Sequence, residues 1–530
     1  MTENGSYHHF PYEVYTYDSV DSTNAVAKRA VSMIGHAADM TVHTAKRQSK
    51  GRGRLGRAWE NTDGAVLMSI VRKTDMDPDS LPLLNLAAAL AVRSAVAEIT
   101  DGFLEPVVKW PNDLLTPDRL EKLCGILSES VSVGGELYAI VGIGLNLNCR
   151  DIPQGLLQPA SSVYLYTGLE CSVTGALNAI LDGFEKQYNR LIKDRDAFMK
   201  DYARSCISIG RHVCVKGGNS VLYGMGESLL EDGRLVVKFE DGKTDVVSAA
   251  DVSVRDMRVT DEALVRRLMP KRKHNGNKGD YGRAALIVGS FDMPGAALMC
   301  TRACLRSGAG LTRVLVPESI RHMFASIPEA VLADEDEIDA LLEWASVIGV
   351  GCGMGVSDRT AALLKKALSS GKPCVIDADG LNTLAAHGEL KKLLHKAVVL
   401  TPHPGEMGRL IKRSAKYVSE NMTSCALSFS KEYGCTVLLK SAVSVIASPG
   451  GEVRYNETGS SALSKGGSGD VLTGVITALL AQGAGSFDAA SIGAYLLGVS
   501  AEKALDLLGT RFVCAQDLTE VIEYEINGRR

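Results

Sequence analysis

Gly466-Gly467-Ser468-Gly469-Asp470 runs straight into Val471-Leu472-Thr473-Gly474-Val475-Ile476-Thr477-Ala478-Leu479-Leu480. A glycine cluster that opens an apolar helix leaves backbone N–H groups unpaired and aims the positive end of the helix dipole at whatever lies in front of it. The stretch predicts an anion site at a helix start, with Asp470 placed inside it. Working outward, strand-like runs at 284–288, 311–316, 347–350, 374–377, 398–401 and 437–440 alternate with helical patterns such as 296–307. Strands and helices alternating at this spacing imply right-handed βαβ units and an α/β domain with a largely parallel sheet.

Further towards the amino terminus the texture changes twice. Residues 207–256 carry short strand patterns, 211–216, 221–225, 234–239 and 244–248, separated by the turn signals Gly217-Gly218-Asn219 and Glu240-Asp241-Gly242. They predict a small all-β barrel of about fifty residues, too small to be an enzyme alone. Residues from about 12 to 200 alternate strand-like runs (66–71, 138–143) with helical patterns (83–98, 174–193), as in a second α/β layer. The expected domains are therefore 12–205, 206–257 and 260–528, and 530 residues is ample for that number of cores.

The first domain carries Gly51-Arg52-Gly53-Arg54-Leu55-Gly56, which formally matches the dinucleotide fingerprint. That motif needs a strand running into the glycines and an apolar helix leaving them. Here the approach is Lys46-Arg47-Gln48-Ser49-Lys50 and the exit is Arg57-Ala58-Trp59-Glu60-Asn61, so the Rossmann context is missing. Six basic side chains and no acid between Lys46 and Arg57 fit a phosphate-closing loop, with a basic patch or localisation signal as the bland alternative.

Composition narrows the class further. A hydrophobic content of 45% and a charged content of 23% are ordinary for a globular protein, and a net charge of −4 argues against nucleic acid as the main partner. Twelve cysteines lie singly, with no Cys-x-x-Cys pair or zinc spacing, and read as reduced, mostly buried thiols. No secretory signal or membrane span is visible, so the expectation is a cytoplasmic protein with no membrane partner.

The loop is accompanied, in order, by Asp21-Ser22-Thr23-Asn24, Gln48, Lys109-Trp110-Pro111-Asn112-Asp113, Glu121-Lys122-Leu123-Cys124-Gly125 and Gly142-Ile143-Gly144-Leu145-Asn146. Together these resemble the catalytic α+β domain of biotin protein ligases, and the small β-barrel after it resembles that family's SH3-like carboxy-terminal domain. The resemblance implies ATP-dependent biotinylation of a carrier-protein lysine through biotinyl-5'-AMP, the partner being the biotin carboxyl carrier domain of biotin-dependent carboxylases. It implies a biotin and adenylate site of Ser22, Thr23, Asn24, Gln48, Arg52, Gly53, Arg54 and Lys109, with Arg54 and Lys109 catalytic. Bland readings stand beside these: Asp21 or Ser22 as a helix cap, Trp110 as a packing anchor, Lys109 as a solvated lysine. The DNA-binding helix-turn-helix domain of some relatives is not expected, since Asp21 opens the first motif.

From about residue 260 the chain resembles the ADP- or ATP-dependent NAD(P)H-hydrate dehydratases, which have a ribokinase-like α/β fold. The matching strings are Lys278-Gly279-Asp280-Tyr281-Gly282, Gly295-Ala296-Ala297, Gly351-Cys352-Gly353-Met354-Gly355, Asp377-Ala378-Asp379-Gly380-Leu381-Asn382, Thr401-Pro402-His403-Pro404-Gly405-Glu406 and the Gly466–Asp470 cluster. The resemblance implies that hydrated NADH or NADPH (NADHX, NADPHX) is phosphorylated on its ring hydroxyl and then loses phosphate. Asp470 is implied as the catalytic base, Ala296, Gly355, His403 and Asp470 as substrate contacts, and Lys440, Ser441, Ala442, Val443, Ser444 and Gly469 as the ADP or ATP site. Glu406 is implied as a helper for Mg²⁺, with a polar loop residue as the bland reading of His403. Gly459-Ser460 and Ser441 depart from the family's usual Gly-Asn and glycine, which leaves the nucleotide preference open. A separate NAD(P)HX epimerase is expected in the same cell, and a homo-oligomer is compatible with the sequence. The alternative is a biotin ligase joined to a ribokinase-like kinase for a vitamin or sugar.

Overall fold

The structure is a computed structural model that describes residues 3–53, 59, 62–118, 120–153, 159–217, 220–248, 253–509 and 511–527. The chain divides into two compact units, Met1–Phe239 with Lys243–Asp256, and Glu240–Gly242 with Met257–Arg530. Each is described by itself.

The first unit is built on an eight-stranded sheet in the spatial order Glu3–His9, Tyr12–Val20, Thr41–Gln48, Val66–Lys73, Glu136–Leu145, Lys122–Val133, Asp113–Leu115 and Val107–Lys109. All neighbours are antiparallel except Tyr12–Val20 with Thr41–Gln48, which the helix Thr23–Ile34 connects. Helix Leu83–Ile99 is buried along nearly its whole surface, as its apolar composition requires, and packs against helix Val173–Lys193. The latter starts at Ser172, whose side chain accepts the Gly175 N–H, and shows one buried stripe through Leu177, Ile180, Leu181 and Phe184.

Five further strands form an antiparallel sheet ordered Thr244–Val247, Leu235–Phe239, Ser220–Leu229, His212–Gly217 and Ser253–Asp256. The sequence reading found four of these; the fifth lies beyond the point where its pattern ended. Val213, Val215, Leu235, Val237 and Val247 belong to the same buried cluster as the larger sheet. Trp110 ties the two together: it is fully buried, its indole N–H donates to Gly233 O at 2.8 Å, and its backbone N–H donates to Ser208 Oγ at 3.2 Å.

The second unit has a ten-stranded sheet ordered Arg258–Val259, Val453–Asn456, Ser444–Ala447, Thr436–Leu439, Val398–Leu400, Cys374–Ile376, Val347–Val350, Arg283–Ile287, Leu311–Leu315 and Val331–Ala333. From Thr436–Leu439 to Val331–Ala333 every pairing is parallel. The strands at the other side, Ser444–Ala447 and Val453–Asn456, are an antiparallel extension, and with Val331–Ala333 they were not read from sequence. Three or four residues are too few to establish a period, and the segment after Lys440 reads as a loop until its partner is known.

Helix Ser468–Ala481 begins where predicted and is buried nearly all round, with Gly467 at φ +100° preceding it. It lies against helix Pro294–Arg306 closely enough that a Cβ on Gly474 would stand 2.2 Å from Cys300 O and 2.8 Å from Ala303 Cβ. Of the twelve cysteines, none is in a disulfide; ten are buried, Cys171 is half-buried and Cys514 exposed. Among the described residues no helix is long and apolar enough to cross a membrane.

Because the obstacle at Gly474 is backbone as well as side chain, Gly474→Ala is expected to lower the stability of the second unit by about 1–3 kcal/mol despite alanine's better helix propensity. Urea unfolding of the full-length protein measures it; an unchanged or higher midpoint for that unit's transition would contradict the close packing.

Candidate active sites

In the first unit, three glycines clear one face of the sheet. Gly142 and Gly144 alternate along one strand, and Gly144 pairs with Gly125 across the next. The Trp59 ring lies over Gly125 and Gly144, so that a Cβ on either would meet it at 2.7 Å, while a Cβ on Gly142 would meet Asn24 Oδ1 at 2.3 Å. Lys122 Nζ stands 5.5 Å from the Trp59 ring centroid and 2.6 Å from Asp113 Oδ1, and Lys109 Nζ is 3.7 Å from Asp113 Oδ2. Lys109 is 6% exposed, a buried lysine rather than a solvated one.

Beside this floor the predicted polar residues form one network. Gln48 Oε1 accepts from Thr23 N at 2.8 Å and Thr23 Oγ1 at 3.2 Å; Ser69 Oγ is 2.8 Å from Thr23 Oγ1 and donates to Asn24 Oδ1 at 2.6 Å. Asn24 Nδ2 donates to Glu129 Oε2 at 2.8 Å, and Lys28 Nζ pairs with Glu129 Oε1 at 2.6 Å. Burial pushes the Glu129 carboxyl up, but hydrogen bonds from Lys28 and Asn24 and the charges of Lys28 and Arg52 outweigh it and hold it low. Ser22 is buried at the N-cap of helix Thr23–Ile34 without a side-chain capping bond, and Asp21 makes a two-pronged ion pair with Arg29. Neither therefore acts as a side-chain cap. Arg52 is exposed and Gly53 half-buried. Arg54 lies outside the described residues. Trp59, Ser69, Asp113 and Glu129 were not assigned roles from sequence; only their contacts bring them to the site.

In the second unit, the predicted residues follow the carboxyl ends of parallel strands, where open α/β sheets place their ligands. Asp377 follows Cys374–Ile376, His403 follows Val398–Leu400, and Lys440 follows Thr436–Leu439. A cavity of about 920 Å³ is lined by Asp377, His403, Glu406, Lys440, Ser441, Ala442, Ser444, Gly469 and Asp470 among others. Ala296 and Gly355 follow two neighbouring strands of the same sheet and are not part of that lining. The Ala296 Cβ sits against Gly353, and the Gly355 N–H donates to Asp379 Oδ2 at 2.8 Å. Val443 does not line the cavity but packs on the hydrophobic core. Ser460 accepts the Ala462 N–H at 3.3 Å, a capping role that an asparagine side chain can also fill.

His403 is more than a loop residue. It is the N-cap of helix Pro404–Ile411, its Nδ1 accepting the Gly405 N–H at 2.9 Å, while Glu406 Oε2 accepts the His403 N–H at 2.8 Å in a capping box. With Nδ1 accepting, neutral His403 carries its proton on Nε2. Burial, Lys440 and Arg409 lower its pKa against the opposing pull of Asp377, which favours that neutral form.

Comparison with known proteins follows the same division. Residues 284–524 match the family model described as NAD(P)H-hydrate dehydratase, and residues 17–148 match the biotin/lipoate A/B protein ligase family. A bifunctional NAD(P)H-hydrate repair enzyme of Moorella thermoacetica is 35% identical over 417 residues, 74% of this chain and 77% of that protein. The chain belongs to the NAD(P)H-hydrate dehydratase family. An ADP-dependent (S)-NAD(P)H-hydrate dehydratase of Neisseria meningitidis is 35% identical over 242 residues, covering 44% of this chain and 80% of that protein. The biotin protein ligase of Aquifex aeolicus, solved with biotin and ATP, is 28% identical and covers 46% of this chain and 98% of that chain, with a TM-score of 0.39.

The dehydratase-family site centres on an ion pair that the sequence reading did not assign. Asp377 is 1% exposed; Lys440 Nζ lies 2.8 Å from its Oδ1, and Thr473 Oγ1 donates to its Oδ2 at 3.0 Å. Burial lowers the Lys440 pKa, but Asp377 and Glu406 more than reverse this and hold it charged. The residues do not fit a Mg²⁺ ion held by protein alone. Both Asp377 oxygens are engaged, Glu406 Oε2 is spent on His403, and no three His, Cys, Asp or Glu among the described residues converge to hold a metal. Mg²⁺ ordinarily reaches such sites on nucleotide phosphates.

The Asp470 carboxyl is pushed up from 3.8 to about 6: burial is the largest cause, Asp377 and Asp379 add to it, and a hydrogen bond to Cys352 and the charge of Lys440 oppose it. A carboxyl whose pKa is higher folded than unfolded favours folding fully only below the unfolded value, and that contribution is lost as pH rises through about 6. Asp470→Asn is therefore expected to stabilise the second unit at pH 7.5 by about 1–3 kcal/mol, the gain vanishing near pH 4. Thermal unfolding at the two pH values checks this; a gain of equal size at both would show that Asp470 is not titrating as described.

Proposed function

We propose that the second unit dehydrates hydrated NADH and NADPH at the expense of ADP or ATP. The observation that carries this reading is the placement of Asp470 at the first turn of helix Ser468–Ala481, in the cavity it shares with Lys440 and His403, within a segment that matches the dehydratase family. Asp470, with a pKa near neutrality, removes the proton of the ring hydroxyl as the hydroxyl oxygen attacks the terminal phosphorus of the nucleotide and the bond to the bridging oxygen breaks, releasing ADP from ATP or AMP from ADP. The amides at Gly467, Ser468 and Gly469 and the Lys440 ammonium receive the charge on the moving phosphoryl group. The ring C–O bond of the resulting phosphate ester then breaks, inorganic phosphate leaves with the bonding electrons, and loss of a proton from the neighbouring ring carbon restores the double bond. His403 Nε2–H, the start of helix Pro294–Arg306 at Ala296 and the loop at Gly355 serve the nicotinamide part, and Ser441, Ala442, Ser444 and Gly469 the nucleotide.

The first unit, in this reading, joins biotin to ATP and passes it to a lysine of a biotin carboxyl carrier domain. The biotin carboxylate attacks the α-phosphorus and expels pyrophosphate; the carrier amine then attacks the carbonyl and expels AMP. Lys109 supports the reacting carboxylate and phosphate oxygens, and Thr23, Asn24 and Gln48 shape the pocket with Ser22. Arg52, Gly53 and Arg54 belong to the loop that closes over the adenylate, and the five-stranded sheet at 212–256 takes the part of the family's SH3-like domain. Exclusion of water protects the mixed anhydride.

The test is full-length protein with hydrated NADH, Mg²⁺ and either ADP or ATP, following recovery of NADH absorbance. Asp470→Asn should lose about 10²–10⁴ in kcat. A stable phosphorylated product without NADH recovery would instead identify a kinase. In parallel, biotin-dependent exchange of labelled pyrophosphate into ATP should fall about 10²-fold or more in Lys109→Ala; exchange that survives would remove Lys109 from the chemistry.

A further inference from the structure

Asp377 has no assigned part in the reaction, yet the site is arranged around it. It is buried, and each of its oxygens has a partner: Lys440 Nζ at 2.8 Å and Thr473 Oγ1 at 3.0 Å. The same Thr473 hydroxyl lies 3.1 Å from Gly469 O, so Asp377 contacts the first turn of the helix that carries Asp470. A Cβ on Gly469 would stand 3.1 Å from Asp377 Oδ2 and 3.5 Å from Lys440 Nζ, which puts the pair directly beneath the glycine loop. The backbone at Asp377 is equally confined: Gly351, at φ +119°, would bring a Cβ within 2.1 Å of Asp377 O. A carboxylate buried in this way has to be neutralised where it stands, so the position of Lys440 follows from that of Asp377.

We infer that Asp377 is a positioning residue for phosphoryl transfer: one oxygen aims the Lys440 ammonium at the space beside Gly469, the other anchors the helix turn, and its charge acts on Asp470. One Lys440 N–H is spent on Asp377 and the ammonium borders the cavity, where it meets a phosphoryl oxygen. Asp377 thus separates a cation from a base that would otherwise neutralise each other. The charged and titratable groups acting on Asp470 are Asp377 and Asp379 from the strand end and helix that follow residue 376, Cys352 from the loop after strand Val347–Val350, and Lys440; His403, Glu406 and Lys465 border the same cavity. Among these Asp377 and Lys440 oppose each other, so removing either has a signed consequence.

The inference rests on the dehydratase reading, and its experiment separates the two. Full-length protein labelled with ¹³C at the aspartate carboxyl carbons is titrated as wild type, D377N and K440M, with D470N assigning the Asp470 signal. Loss of the Asp377 charge should lower the Asp470 midpoint by about one unit or more, and loss of the Lys440 charge should raise it. D377E, which keeps the charge, should restore the midpoint. In turnover, D377N should lose about tenfold or more in kcat with little change in the KM for the hydrated nucleotide, and the acid limb of its pH profile should move down with the midpoint. An Asp470 midpoint that stays in place in D377N overturns the inference. If D377N fails to fold, K440M decides it: a midpoint that falls or does not move has the same force. Failure of the wild type to recover NADH would overturn the dehydratase reading, while the titration would still show whether Asp377 governs Asp470.

Discussion

A carboxylate at 1% exposure cannot be left without a countercharge, and the second unit is arranged around that requirement. Asp377 sits at the end of a parallel strand, its partner Lys440 at the end of another two strands away, and Thr473 one helical turn beyond Gly469. The three elements must be in register for the pair to form. The pair in turn leaves an ammonium and a carboxyl with a raised pKa, Asp470, bordering one cavity. Breaking the pair by removing one member strands the other, which is why such a pair is costly to disturb even where its net stabilisation is small.

Glycine plays a comparable part in the first unit. The sheet there gains space by removing side chains from the facing positions Gly125 and Gly144 and from Gly142 on the strand of Gly144. The vacated face is filled by the Trp59 ring and by Asn24, whose amide is held by Leu127 O, Ser69 and Glu129. Substituting any of these glycines would displace an aromatic ring or a buried amide rather than simply fill a void.

What could be read from sequence was what is local. The glycine cluster, the apolar helix that follows and the caps are contiguous, so Asp470 at a helix start was legible, as were most parallel strands. The contacts of Asp377 were not: its partners lie 63 and 96 residues away, and neither Lys440 nor Thr473 has a sequence feature pointing to it. Val443 shows the limit of reading a segment as a unit: Ser441, Ala442 and Ser444 line the cavity, while the Val443 side chain packs on the core just before strand Ser444–Ala447. Trp59 stood next to a recognised motif and was passed over because nothing local reveals which glycines an aromatic ring will cover.

On the proposed functions both units would stabilise negative charge on a moving or leaving phosphate, and they present different materials for it. The second uses backbone: amides at a helix terminus are fixed by the fold and cost no side-chain entropy, and a single paired lysine supplements them. The first presents side chains, with Lys109 buried in the sheet and Arg52 exposed beyond strand Thr41–Gln48. A fixed helix terminus suits a phosphoryl group that is held in place while it is transferred. A loop suits an adenylate that must be shielded from water in one step and then exposed to a protein lysine in the next, because the same groups have to close and open. On the proposed functions, the glycine pattern in each half would follow from whether its intermediate must be handed on.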